Sequence, residues 1–170
     1  MIQTERVFLR PLRAEDWQSM QRIAADFRKS QYILYDIPLP TEEQEIKVLT
    51  EMFAGTGLFF AVLLDDAMIG YVCFHEENGD YDLGYCFHSD YHGKGYAYEA
   101  CTAMTQYMTE EKSVKAFTAG TALKNVPSCK LLHKLGFALS GTEKLSFHKD
   151  EDGNDIVFEG GIFRKEICKL

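Results

Sequence analysis

Two glycines one residue apart, Gly93 and Gly95, sit between a strand-like aromatic run, Tyr81 to Phe87, and a helix-like run, Tyr96 to Glu110. Glycine takes backbone angles closed to other residues and leaves its neighbouring amides uncovered. The first amides of a helix have no partner within it and lie at the positive end of its dipole. The stretch Ser89 to Ala100 therefore reads as an anion cradle, suited to a phosphate. Neither of two familiar phosphate loops fits. A P-loop would need glycine at His88 and a hydroxyl residue at Gly95, and a dinucleotide fingerprint would need glycine at Tyr98.

Other reactive side chains are scattered around this stretch. Asn125-Val126-Pro127-Ser128 opens a helix: Asn125 is a good N-cap and Pro127 is tolerated in the first turn. Ser128 is either a helix-start serine bonding backbone or a hydroxyl facing a ligand. His75, Glu76, Glu77 and Asp82 lie beside the strand before the glycines, and Asp82 is preferred as a base because it sits inside that strand. His88 and His92 bracket a loop rather than a helix face, and no third ligand has metal spacing, so no metal is expected. Cys86 reads as a small, half-buried strand residue.

These groups need a frame. Arg6 to Leu12 alternates as a first strand, and Glu15 to Phe27 is an amphipathic helix with Trp17, Met20, Ala24 and Phe27 on one face. The aromatic connection Asp26 to Pro40 is long enough to border a substrate site. Thr41 and Gln44 form a capping box for a second helix running to about Phe53, ended by Gly55 and Gly57. Leu58 to Leu64, Met68 to His75 and Tyr81 to His88 form a meander, with Asn78-Gly79 as a tight hairpin turn. The glycine loop and third helix follow, stripe Ala100, Ala103, Met104 and Tyr107. Val114 to Ala119 is a fifth strand, expected parallel to the fourth because a helix connects them. After the fourth helix, closed by Gly136, Phe137 to Ser146 and Asp155 to Arg164 form a last hairpin around Asp152-Gly153-Asn154.

At this point the sequence resembles the GNAT superfamily of acyl-CoA N-acyltransferases. His92-Gly93-Lys94-Gly95-Tyr96-Ala97 stands where that superfamily has Gln/Arg-x-x-Gly-x-Gly/Ala, and Tyr98-Glu99-Ala100 extends the match. Asn125 to Ser128 and Lys134-Leu135-Gly136-Phe137 resemble its second block. Phe8-Leu9-Arg10-Pro11-Leu12 resembles the first strand of the subgroup containing ribosomal-protein N-terminal acetyltransferases. His92 departs from the usual Gln or Arg and would help a phosphate less near neutral pH.

The resemblance implies an α/β GNAT fold: a mixed, mostly antiparallel sheet of about seven strands with about four helices, strands four and five parallel and splayed to hold CoA. It implies that the pyrophosphate lies on His92, Gly93, Lys94, Gly95, Tyr96, Ala97 and Tyr98, that backbone of Tyr85, Cys86 and Phe87 bonds the pantetheine arm, and that Asn125 reaches it from the other side. The acid–base pair common in the superfamily falls on Gly120 and Leu132 and is absent. Ser128 takes the thiolate-side role by resemblance to the ribosomal-protein subgroup. The implied reaction is direct attack of a primary amine, on a protein N-terminus or a small molecule, on acetyl-CoA. A non-catalytic acyl-CoA sensor is the alternative.

Composition bounds the rest. The 170 residues suit a single domain, 1–170, with 46% hydrophobic and 26% charged residues. A net charge of −8 argues against nucleic acid as a partner. Five cysteines, Cys73, Cys86, Cys101, Cys129 and Cys168, form no Cys-x-x-Cys pair and read as reduced thiols. No signal-peptide core and no membrane-length apolar run is present, so a cytoplasmic protein is expected, monomeric or dimeric.

Overall fold

The computed structural model describes residues 1–167; Cys168 lies outside the described residues. In chain order the elements are β1 (Ile2–Gln3), β2 (Phe8–Pro11), α1 (Trp17–Phe27), α2 (Glu43–Thr56), β3 (Phe59–Leu64), β4 (Ala67–Glu77), β5 (Asp80–Phe87), α3 (Tyr96–Glu111), β6 (Ala116–Ala122), α4 (Val126–Lys134), β7 (Ala138–Leu145) and β8 (Phe158–Glu166). The strands form one eight-stranded sheet in the order β1-β2-β3-β4-β5-β6-β8-β7. The eighth strand is β1, which pairs Ile2 with Leu9 and Gln3 with Phe8. Two residues are too short a run to show a period of two.

The meander is antiparallel throughout, and Asn78 (φ 55°) with Gly79 (φ 87°) makes its tight turn. One core lies under α3 and α4, around Val72, Phe74, Leu83, Met104, Phe117, Leu132 and Phe163. A smaller one lies under α1 and α2, around Met20, Ile23, Ile46 and Met68. Ile23, with Met20 and Ala24, is buried on α1.

The capping box at Thr41 does not form. The N-cap of α2 is Glu42, without a side-chain cap bond, and the Thr41 carbonyl instead accepts the Gln21 side-chain amide at 2.7 Å. Docking onto α1 thus takes precedence over a local cap. The helix also runs past Gly55 to Thr56 and ends on left-handed Gly57.

The feature that shapes the site is the parting of β5 and β6. They pair in parallel only at Asp80↔Ala116, Tyr81↔Phe117 and Asp82↔Thr118. Beyond that, β5 stays with β4 as far as Phe87↔Gly70, and β6 stays with β8 as far as Ala122↔Gly160. The two strands share one end and open toward their carboxyl ends. Side chains pin the closed end: Thr118 Oγ1 donates to Asp82 Oδ1 at 2.9 Å, and Arg164 on β8 reaches Asp80 at 2.6 Å.

Candidate functional site

The open end of this cleft is capped by the beginnings of two helices. The loop after β5 makes a short 3-10 turn at Ser89–Tyr91, and α3 then starts from Gly95, which stands at φ 86° with no side-chain cap. Backbone bonds in the loop stop at His92, whose amide donates to Ser89 at 3.1 Å, and resume at Glu99, whose amide donates to Gly95 at 3.0 Å. Among the described residues, the amides from Gly93 to Tyr98 therefore have no acceptor. An N-terminal helix turn without a cap, preceded by two left-handed glycines, is a ready-made anion seat. Nothing approaches within 4 Å of the place where a Gly93 Cβ would stand.

Two of the residues expected here, His92 and Lys94, bond within the loop. The His92 ring does not face the amides: its Nε2 lies 2.7 Å from the Phe87 carbonyl. Histidine here ties the loop to the end of β5, and it takes up a carbonyl expected to serve the pantetheine arm. Lys94 curls back as well, its ammonium donating to the Asp90 carbonyl at 2.8 Å. The donors left unpaired in the loop are backbone amides.

The loop is held from outside by residues the sequence reading did not single out. Arg6 Nη1 donates to the Lys94 carbonyl at 2.8 Å and its guanidinium pairs with Glu99 at 2.7 Å. The Arg6 guanidinium also lies over the Tyr96 ring, 4.8 Å from its centroid. Glu99 further accepts the Thr4 hydroxyl at 2.6 Å and the Arg6 amide at 2.7 Å. On the other flank, Asp26 at the end of α1 accepts both the amide and the hydroxyl of Ser89, at 2.8 and 2.7 Å. Glu99 in the first turn suits the helix dipole but not a bound anion, and Arg6 compensates its charge.

Burial alone would raise the Glu99 carboxyl, but the Thr4 hydroxyl and the Arg6 amide and guanidinium hold it below the ordinary glutamate value of 4.5. A carboxyl lowered on folding adds stability above its ordinary range and loses it as pH falls through the lowered value. Glu99→Gln is accordingly expected to unfold about 0.5–1 kcal/mol more easily at neutral pH, the range of exposed ion pairs. The two proteins should converge in acid. Urea titrations across pH measure this, and a constant difference down to the acid limit would contradict the brace.

Across the cleft, the Asn125 side-chain oxygen accepts the Ser128 amide at 3.3 Å, capping α4. The Asn125 side-chain NH2 makes no hydrogen bond among the described residues. The Ser128 hydroxyl lies 2.7 Å from the Tyr85 hydroxyl, a bond that joins α4 to β5 over the gap. Tyr85, Cys86 and Phe87 occupy the edge of β5 that has no β6 partner. Burial pushes the Cys86 thiol up to about 12, which favours its protonated form.

The positions of the usual acid–base pair offer nothing: Gly120 has no side chain and Leu132 is buried in the main core. Asp82 ends the part of β5 that pairs with β6, beside a small cavity of about 200 Å³ that also takes in His75, Asp80 and Thr118. Burial raises its carboxyl above the usual aspartate value, against the pull of Thr118. A larger, mostly apolar hollow of about 470 Å³ lies along α2, lined by Pro40, Gln44, Glu45, Val48, Leu49 and Met52.

Residues 28–42 and the loop of the last hairpin meet where His148 Nε2 lies 2.7 Å from the Asp36 carbonyl oxygen and the rings of Tyr35 and Phe158 are 5.2 Å apart. Desolvation at this junction raises the Asp36 carboxyl, against the Ile37 amide and His148.

With this geometry in hand, known proteins add an independent comparison. A sequence model of the acetyltransferase (GNAT) domain matches residues 6–138. The uncharacterized N-acetyltransferase YnaD of Bacillus subtilis is 28% identical over 161 residues, covering 92% of this chain and 94% of the relative. The fold is similar to the acetyltransferase of Salmonella typhimurium that modifies the N-terminal serine of ribosomal protein L7/L12, with TM-score 0.82 at 14% identity over 97% of both chains. It is also similar to the microcin C7 self-immunity acetyltransferase solved with acetyl-CoA and AMP, with TM-score 0.79 at 16% identity over 96% of this chain and 94% of that one.

Proposed function

Because the chain belongs to the acetyltransferase (GNAT) domain family, we propose that this acetyltransferase transfers the acetyl group of its cosubstrate, acetyl-CoA, to a primary amine by direct attack. The amine is carried by a protein N-terminus or a small molecule, and residues 1–170 act as one domain. The observation that carries the reading is the run of unpartnered amides from Gly93 to Tyr98 at the open end of the β5–β6 cleft. Bound acetyl-CoA supplies a thioester that an unprotonated amine attacks, with release of the CoA thiol.

The chain's own residues then have distinct tasks. The amides of Gly93 to Tyr98 hold the diphosphate, with Arg6 and His92 fixing the loop that presents them. The free edge of β5 at Tyr85 and Cys86 and the Asn125 side-chain NH2 orient the pantetheine arm. Ser128, in the first turn of α4, donates a hydrogen bond to the departing sulfur, helped by the positive helix end. Asp82, with its carboxyl raised above the usual aspartate value by burial, takes the proton that an incoming ammonium must lose. The acceptor approaches between residues 28–42 and the last hairpin, where Asp36 attracts its cationic form.

Thiol release from acetyl-CoA over a panel of peptide N-termini and small amines tests this reading. Ser128→Ala should lower kcat about tenfold to a hundredfold, the worth of a hydrogen bond to a charged atom. KM for acetyl-CoA should stay unchanged. Equal kcat in the two proteins would remove Ser128 from the reaction.

A further inference from the structure

The bond between Tyr85 and Ser128 links two elements that are each anchored without it. Both hydroxyls lie at the cleft, and both elements are already anchored: α4 by its Asn125 cap, β5 by its pairing with β4. The bond nevertheless joins residues 43 apart in sequence, over the gap left by the parted strands, at 2.7 Å. We propose that Tyr85 is a positioning residue for the acetyl transfer: its phenol holds the Ser128 hydroxyl and turns the serine proton toward the sulfur of CoA. The proposal rests on the reading of Ser128 as the thiolate-side group.

The chemistry of the two hydroxyls sets the direction of the pair. Two hydroxyls in one hydrogen bond carry two protons, one in the bridge and one free. A phenol is a far stronger acid than an aliphatic alcohol, so the bridging proton is the Tyr85 proton and the free one belongs to Ser128. Accepting a bond from Tyr85 polarises the serine O–H and makes it a better donor. Burial pushes the Tyr85 phenol well above its ordinary value, against the pull of Ser128, so it remains a neutral donor at working pH. The Ser128 amide is already committed to Asn125, which fixes the serine backbone. Tyr85 fixes the remaining freedom, the rotation of its side chain.

Neither hydroxyl is consumed. The carbon–sulfur bond breaks and the carbon–nitrogen bond forms. The proton lost by the amine nitrogen balances the one gained by sulfur. The pair lowers the cost of negative charge on sulfur while it lasts.

Coenzyme A itself is the probe, so no acceptor need be known. The ultraviolet absorbance of the thiolate, followed against pH for CoA bound to the protein, reports how readily the bound thiol ionises. In the parent protein bound CoA should ionise at lower pH than free CoA. Ser128→Ala should raise that midpoint by about one unit, a tenfold change. Tyr85→Phe, which removes only an oxygen, should shift it in the same direction. It should add nothing further in the Ser128→Ala background, because it acts through the serine. Calorimetric affinity for acetyl-CoA should be unchanged in all three variants, because the arm meets the Tyr85 backbone and not its phenol, and this also shows that they are folded. If Ser128→Ala moves the midpoint and Tyr85→Phe does not, or if the two shifts add, the role given to Tyr85 is wrong and that of Ser128 stands. If neither moves it, the reading of Ser128 falls and this inference with it. Loss of acetyl-CoA binding in Tyr85→Phe would make the phenol a binding group and equally overturn the proposal.

Discussion

Gly95→Val is expected to weaken acetyl-CoA binding at least about a hundredfold, the combined effect of backbone strain and lost hydrogen bonds to a charged group. Gly95 stands at φ 86° at the head of α3, a conformation that is a marked outlier for a β-branched residue. A Cβ there would stand 3.2 Å from the Arg6 guanidinium, closer than that brace tolerates without shifting. Valine therefore acts twice. It forces the loop out of the left-handed turn that aligns the amides, and it pushes away the side chain that holds the Lys94 carbonyl. Gly93→Ala offers a graded comparison: φ is 72° and nothing lies within 4 Å, so only strain applies and the loss should be smaller. Isothermal calorimetry with acetyl-CoA measures both. Parent-like affinity in Gly95→Val would refute the amide cradle.

The second large effect is structural in origin and functional in consequence. Gly70 faces Phe87 across the β4–β5 ladder, and a Cβ at Gly70 would stand 2.5 Å from the Phe87 ring and 2.6 Å from the Cys86 carbonyl oxygen. One of these is backbone, which cannot swing aside as a flexible side chain does. Gly70→Val should cost about 3 kcal/mol of stability, the upper range of overpacking. The displaced strand end is the one that carries Tyr85, Cys86 and Phe87, so the surviving folded protein should also bind acetyl-CoA more weakly. Gly55→Ala is the contrast: the site is helical with nothing within 4 Å, and the change should stabilise by about 0.5–1 kcal/mol. Urea midpoints for the pair decide the matter; a neutral Gly70→Val would mean that β4 and β5 are not in this register.

Much of the frame was legible before any coordinates. The four helices, the meander, the Asn78-Gly79 turn, the Asn125 cap and the Gly136 stop are each signalled within a few residues. Contacts between distant segments are what local sequence does not show. Thr41 had the residue type for a capping box, yet its carbonyl went to Gln21 on α1. His92 stands in the phosphate motif, and no local pattern signals that its ring reaches the Phe87 carbonyl. Arg6 looked like the start of a strand, and nothing nearby hints that Glu99 waits 93 residues on.

The same division separates what belongs to the sequence from what belongs to the fold. The sequence alone marked the glycine turn and the unpaired amides of the helix start, because these are properties of contiguous residues. It also determined that the common acid–base pair is missing, since that follows from residue identity at Gly120 and Leu132. Only the tertiary structure decided where the cleft opens, which depends on β5 keeping β4 and β6 keeping β8 after Asp82 and Thr118 part. It likewise decided that Tyr85 meets Ser128 and that Arg6 holds the loop. Those contacts join chain segments far apart in sequence, and strand pairing and helix docking, not local propensity, set the distance between them.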